Sequence, residues 1–357
     1  MKRKYFQKLT CIWLAAVTIA AGCTTAAVGS GSSSAAQNTD VATDGAALSD
    51  AESAVDGAGI DAQGADVPSA DDAAVTVDIA PTSDILSAKA PTTIDALRPA
   101  DVTVPKDWAS KDKWPLIILL HGYGVTGAIQ DIYMGVSARA SKFGFVAVVP
   151  DGTLDSSGKL FWNATPACCN FGGIKVDDVA YMTGLIDKAI AELRVDPQRV
   201  YVVGHSNGAF MALRLACEIA YKVTAVASLA GAADIELSKC TPTHPVSVLQ
   251  IHGTLDAVIA YKGGSNLLAP PFPGAETTVQ DWRTHDGCSE TKTPMPDADY
   301  DSILAGTETK RTAWTECKQG SRVDFWQIVG GAHIPTITDS FRDDLLQHLL
   351  ARTRLAN

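Results

Sequence analysis

Arg199-Val-Tyr-Val-Val-Gly-His-Ser-Asn-Gly-Ala-Phe-Met-Ala-Leu-Arg-Leu-Ala216 is the stretch on which the reading of this chain turns. Val200–Val203 is a short β-branched and aromatic run, as a buried strand requires. Ala209–Ala216 is rich in Ala and Leu, as a helix requires. Between them lies Gly204-His205-Ser206-Asn207-Gly208. A serine held between a strand and a helix must sit in a sharp turn. Glycines two residues to either side remove Cβ atoms that would collide there. The turn exposes the hydroxyl above the sheet, next to the unpaired N–H groups of a helix start. Ser206 is therefore the candidate nucleophile.

Working outward, further apolar runs end at small or turn-forming residues: Pro115–His121 before Gly122, Phe145–Pro150 before Asp151-Gly152, Ala225–Ala230, Val246–Ile251 and Val323–Val329. Continuous apolar strands imply a mostly parallel sheet buried on both faces. Helical stripes alternate with them. Val179, Met182, Ile186, Ala189, Ile190 and Leu193 share one face behind a capping Asp177, and Asp196-Pro197 closes that segment. Phe341, Leu345, Leu346, Leu349 and Leu350 form another. The alternation predicts an α/β fold with helices on both faces of the sheet. Sites in such sheets gather at the carboxyl ends of the strands.

A serine hydroxyl needs a base, and the base needs an acid to orient it. On this kind of elbow they follow in the order Ser, acid, His. His121 and His205 precede Ser206, His252 ends a strand and reads as structural, and His348 lies inside the last helix. His333, in the loop Gly330-Gly-Ala-His333, is the expected base. Asp256, in His252-Gly-Thr-Leu-Asp256 just after a strand, is the expected acid. Asp177 and Asp178 read as a helix cap and its neighbour. The backbone N–H of Asn207 is one expected oxyanion donor. The second comes from His121-Gly-Tyr-Gly124, with Tyr123 favoured over Gly124. Trp162 and Asn163 either line the substrate cleft or are a core tryptophan and a turn asparagine. The triad implies no cofactor, and the cysteines lack the paired spacing of a zinc site, so no metal is expected.

With these residues placed, the chain resembles the polyhydroxybutyrate depolymerase-like and feruloyl esterase-like branch of the α/β-hydrolases. The resemblance rests on Leu120-His-Gly-Tyr-Gly, Pro150-Asp-Gly-Thr, Phe161-Trp-Asn-Ala, Ala167-Cys-Cys, Val176-Asp-Asp-Val, Arg199–Gly208 and Ile251-His-Gly-Thr-Leu-Asp, across about residues 85–353. It implies an α/β-hydrolase fold, the triad Ser206, Asp256 and His333, and an ester of a hydroxy or aromatic acid as substrate. It also implies a Cys288–Cys317 bridge. One departure stands out: the family base is often followed by Trp-Pro, whereas His333 is followed by Ile334-Pro335. Cys168, Cys169, Cys217 and Cys240 allow three pairings.

The N-terminal part reads differently. Residues 1–22 have a basic start and an apolar run from Cys11 to Ala21, ending in Ala20-Ala-Gly-Cys23, in the manner of a lipoprotein signal with Cys23 as lipid acceptor. Residues 24–80 hold ten acids and no Lys or Arg, with almost no large apolar side chain. Such a composition cannot offset its ordering entropy, so 23–80 is expected to be an extended tether and 81–357 the catalytic domain. Six cysteines in an exported domain favour disulfides. Removing both N-terminal segments leaves a net charge of −5 on residues 81–357 and no basic stripe, which argues against nucleic acid as a partner. The resulting expectation is an exported serine carboxylic-ester hydrolase acting on hydroxyalkanoate-type (polyhydroxybutyrate-like) or feruloyl and acyl-polysaccharide esters, lipid-anchored at the cell envelope or, alternatively, secreted. The alternatives are a surface acyltransferase with the same triad, or a polymer- or glycan-binding lipoprotein without catalysis.

Overall fold

The computed structural model describes residues 90–94, 98–265 and 269–355. The expected signal, Cys23 and the tether lie outside the described residues. All the described residues belong to one compact unit, Ser83–Asn357.

The strands in chain order are β1 (Thr93–Ile94), β2 (Ala100–Thr103), β3 (Trp114–Leu120), β4 (Val146–Pro150), β5 (Thr153–Leu154), β6 (Leu160–Phe161) and β7 (Val195–His205). They continue with β8 (Ala225–Leu229), β9 (Ser247–Gly253), β10 (Gly263–Gly264), β11 (Phe272–Pro273), β12 (Thr293–Ala298), β13 (Thr309–Trp314) and β14 (Val323–Ile328). The helices are α1 (Gly127–Met134), α2 (Ala140–Phe143), α3 (Asp178–Glu192), α4 (Asn207–Glu218), α5 (Ala275–His285) and α6 (Asp339–Leu350).

Among the described residues, ten strands form one sheet in the order β1-β2-β4-β3-β7-β8-β9-β14-β13-β12. The six central strands, β4 to β14, pair in parallel. β2 and β1 extend one side antiparallel, and β13 and β12 the other. The parallel centre is the expected one. The antiparallel margins are an addition to it: β12 is Thr-Pro-Met-Pro-Asp-Ala and mostly exposed, and two prolines suit only an edge. β7 also starts at Val195, earlier than expected, so Asp196-Pro197 lies inside the strand. The register with β3 shifts there, between Trp114↔Val195 and Leu116↔Val200, which accommodates the proline.

Strand residues alternate between two cores, as the two-residue period demands. Leu116, Ile118, Leu120, Val200 and Val202 pack with Met182, Ile186, Phe210, Leu213, Val279 and Trp282, hence with α3, α4 and α5. Ile117, Leu119, Tyr201, Val203 and Ile251 pack with Met134, Ala140, Phe341, Leu345 and Leu349, hence with α1, α2 and α6. From β3 the chain goes first to β4 on one side, and later to β7 on the other. The carboxyl ends of β3 and β7 therefore flank the point where strand order reverses, which is where a crevice opens.

Candidate active site

β7 delivers Ser206 to that point of the sheet. Ser206 takes φ 55° and ψ −121°, in the region that favours glycine, and α4 begins at the next residue. The turn is pinned from outside: the Ser206 N–H donates to the Leu229 carbonyl at 2.9 Å. A Cβ on Gly204 would lie 2.1 Å from the Gly208 oxygen, and one on Gly208 would lie 2.3 Å from the Leu120 oxygen. The two glycines are what let strand, turn and helix approach this closely.

His333 follows β14, and Asp256 follows β9. The His333 Nε2 is 3.0 Å from Ser206 Oγ, and its Nδ1 is 2.8 Å from Asp256 Oδ2. The other carboxylate oxygen, Oδ1, accepts the N–H groups of Val258 and Ile259, each at 2.8 Å. Burial alone would raise the Asp256 pKa. The N–H bonds from His252 and His333, and the proximity of both rings, outweigh it and hold the carboxyl well below the usual carboxylate range. The loops that carry Asp256 and His333 are tied to each other. The Leu255 N–H donates to the Gly331 carbonyl at 2.9 Å and the Gly330 N–H to Thr254 Oγ1 at 2.8 Å. All three side chains are nearly enclosed, with Ser206, Asp256 and His333 8, 6 and 7% exposed.

The loop after β3 lies against the nucleophile, since a Cβ on Gly122 would stand 3.4 Å from the Ser206 Cβ. Its N–H groups are divided. Gly122 donates to Gln130 Oε1 at 3.2 Å and Gly124 to the Leu160 carbonyl at 2.8 Å. The Tyr123 N–H between them has no acceptor among the described residues, nor has the Asn207 N–H at the start of α4. Gly124 is thus committed elsewhere and Tyr123 is not. The Tyr123 hydroxyl donates to Asp155 at 2.5 Å, and burial together with that carboxylate pushes its pKa up to about 12.

Two histidines not assigned to the site from sequence flank this machinery. His121 accepts the Gly152 N–H on Nε2 at 2.8 Å and donates from Nδ1 to the Gly122 carbonyl at 2.7 Å. It ties the loop after β3 to the loop after β4, and burial lowers its pKa. His205 Nε2 lies 3.0 Å from the His333 carbonyl, which can only accept, so the ring donates there. Complete burial, and the His333 ring beside it, lower its pKa to about 3. Both are strand-end residues, the one sequence signal that could have flagged them.

Trp162 does not line a cleft. It is fully buried, its indole N–H donates to the His121 carbonyl at 3.1 Å, and its ring sits 5.0 Å from the His121 ring. Its own backbone is clasped by the Asn207 side chain, with N–H to Oδ1 at 2.7 Å and Nδ2 to the Trp162 carbonyl at 2.9 Å. Burial thus makes it a brace for the loop. Asn163 lines a cavity of about 500 Å³ beside α4, together with Phe210, Arg214, Asp234 and Trp282. Asp177 caps α3 through the Ala180 N–H at 2.9 Å, and the buried Asp178 pairs with Arg98 at 2.7 Å. The disulfides are Cys168–Cys169, Cys217–Cys240 and Cys288–Cys317, the last being the bridge the family resemblance implied.

A Phospholipase/Carboxylesterase family model matches residues 174–269, a span that holds Ser206 and Asp256 but not His333. "Putative esterase NocK" of Nocardia uniformis subsp. tsuyamanensis is 30% identical over 61% of this chain and 64% of its own length. Feruloyl esterase B of Piromyces equi is 26% identical over 65% of this chain and 42% of its own. Feruloyl esterase D of Neurospora crassa is 27% identical over 68% and 76%. The parallel sheet and the serine turn between strand and helix are those of an α/β-hydrolase fold, and the chain is similar to these esterases. This α/β-hydrolase spans less than two thirds of the first two relatives, 64% and 42% of their lengths. Among solved structures, an acetyl xylan esterase from Aspergillus awamori aligns over 70% of this chain and 94% of its own, at 15% identity and a TM-score of 0.48.

Proposed function

We propose that this α/β-hydrolase is a serine carboxylic-ester hydrolase that works through an acyl-enzyme. The observation that carries the reading is the unbroken line Asp256–His333–Ser206, at 2.8 and 3.0 Å, beside two N–H groups with no other acceptor among the described residues. Ser206 Oγ attacks the ester carbonyl carbon as His333 Nε2 takes its proton. The carbonyl electron pair moves onto oxygen, where the N–H groups of Tyr123 and Asn207 hold the negative charge. Collapse expels the alcohol, which takes the proton from Nε2. Water then loses a proton to Nε2 and attacks the acyl group, and Ser206 leaves with that proton. Asp256 stays ionised throughout and keeps the ring in register.

The proposed acyl group belongs to an aromatic or hydroxy acid, of feruloyl-polysaccharide or polyhydroxybutyrate type. The names of the relatives favour the feruloyl class. The chain is further proposed to be exported and held at a membrane through lipid on Cys23.

A fluorophosphonate, which reacts with activated serines, tests the chemistry. The wild-type chain is expected to label and Ser206→Ala to stay unlabelled. Hydrolysis of p-nitrophenyl, feruloyl and hydroxybutyrate esters should fall at least about 10³-fold in the variant. Hydrolysis by Ser206→Ala at the wild-type rate would remove Ser206 from the mechanism. Product analysis with added alcohols reports whether acyl transfer competes with water.

A further inference from the structure

His252 ends β9 and is 1% exposed. Its Nε2 stands 2.8 Å from the Ile259 carbonyl and 3.3 Å from Asp256 Oδ2. A carbonyl oxygen only accepts, so Nε2 carries a proton toward that carbonyl, and the carboxylate oxygen approaches the same nitrogen at 3.3 Å. Its Nδ1 stands 3.3 Å from Gln250 Nε2. The Gln250 amide is itself oriented by the Gly231 carbonyl, which takes the same NH₂ group at 2.8 Å. A donor therefore faces Nδ1, and Nδ1 is an acceptor. Both ring nitrogens are accounted for in the neutral tautomer, and an imidazolium would set N–H against N–H at Gln250. The other neighbours fit this state. The Tyr261 ring meets His252 edge-on at 5.8 Å, its hydroxyl turned to Glu276, and Gln327, opposite His252 on β14, donates to that hydroxyl.

We propose that His252 is a positioning residue: as a neutral donor it fixes Asp256 Oδ2 in line with the base, so that the carboxylate is shared between two imidazoles. The reasoning is geometric. Asp256 Oδ1 is held by two backbone N–H groups, whereas Oδ2 is held by His333 and by His252. In the proposed cycle His333 gains and loses a proton twice per turnover. Without His252, the oxygen that steers the base would be anchored only by the base. A histidine needed for packing alone would require the Ile259 contact and not the one to the carboxylate. The role rests on the proposed catalytic reading of Ser206, Asp256 and His333.

The test compares His252→Gln, whose amide can place an N–H near the Nε2 position, with His252→Asn, whose shorter amide cannot reach Asp256. Two readouts are taken on the full chain. One is the low-field proton resonance of the His333 Nδ1–H as a function of pH, which needs no substrate. The other is kcat and KM for p-nitrophenyl acetate. In His252→Asn, kcat is expected to fall about 10- to 100-fold with KM within about twofold, the size expected for one lost bond to a charged group. The low-field resonance should titrate at a pH displaced upward by about half a unit or more, because a carboxylate relieved of one donor stabilises the protonated base more. His252→Gln should recover most of both effects. An unchanged kcat in His252→Asn overturns the proposal. So does a lower kcat, in a folded variant, with the low-field titration unmoved and no recovery in His252→Gln. If the resonance responds as expected but the wild-type chain cleaves no ester, the esterase reading fails and the positioning role stands.

Discussion

Ser206 holds a backbone conformation that costs a residue with a side chain about 1–3 kcal/mol, and the surroundings must supply that energy. They do so through the Leu229 carbonyl and through the two glycines that let Leu120 and Gly208 touch. His205, the residue before it, sets a second condition. Its pKa in the folded chain is about 3, below the ordinary histidine value of 6.5, because it is wholly buried and beside His333. An unfolded chain takes up a proton on this ring as the pH falls below about 6.5, whereas the folded chain cannot until about 3. The stability linked to His205 is thus whole above pH 6.5 and drains between about 6.5 and 3, by at most about 1.4 kcal/mol per pH unit. Replacing it by Leu should flatten that slope. Urea unfolding of wild-type and His205→Leu proteins at pH 7 and pH 4.5 is expected to show the larger pH-induced loss in the wild type. Equal losses would mean that His205 titrates normally in the fold.

At the scale of elements, the start of α4 and the segment after β6 depend on each other. The Asn207 side chain satisfies both the N–H and the carbonyl of Trp162, and all of these groups are buried. Asn207→Ala would leave the Trp162 N–H without a partner, at about 1–3 kcal/mol, while the Trp162 carbonyl keeps the Ala164 N–H at 2.9 Å. It should lower the urea midpoint and expose residues 163–177 to protease. A variant with wild-type resistance and stability would show that water replaces the amide. This clasp was not legible in the sequence, where Asn207 carries only a backbone role and Trp162 could face either way. The central strands were legible because each is a mostly apolar run ending at or near a turn residue. Ser206, Asp256 and His333 are the side chains picked out by chain order, and they are the ones that meet. β1, β2, β12 and β13 escaped notice because they are short or polar, and pair only once the sheet exists. His121, His205 and His252 carried too little signal, since each takes its meaning from partners distant in sequence or hidden in a turn.

At the scale of the whole molecule, the charge is graded along the chain. The proposed tether carries ten acids and the following domain a net −5, so both would be repelled by an anionic bilayer within a screening length of about 8 Å. Lipid on Cys23 would then have to supply the attachment. Wild-type chains grown with radioactive palmitate are expected to take up label and to fractionate with membranes, and Cys23→Ala chains to do neither. Label retained by Cys23→Ala would place the lipid elsewhere or reduce the signal to an ordinary secretory one. The position of β14 has a consequence in time. It lies inside the sheet, between β9 and β13, and His333 follows it. A growing chain that has passed Asp256 but not His333 already carries its proposed nucleophile and acid, yet lacks the last 25 residues, which hold His333, and the proposed base with them. On the proposed mechanism the serine would stay chemically silent during synthesis and become reactive only when the sheet closes.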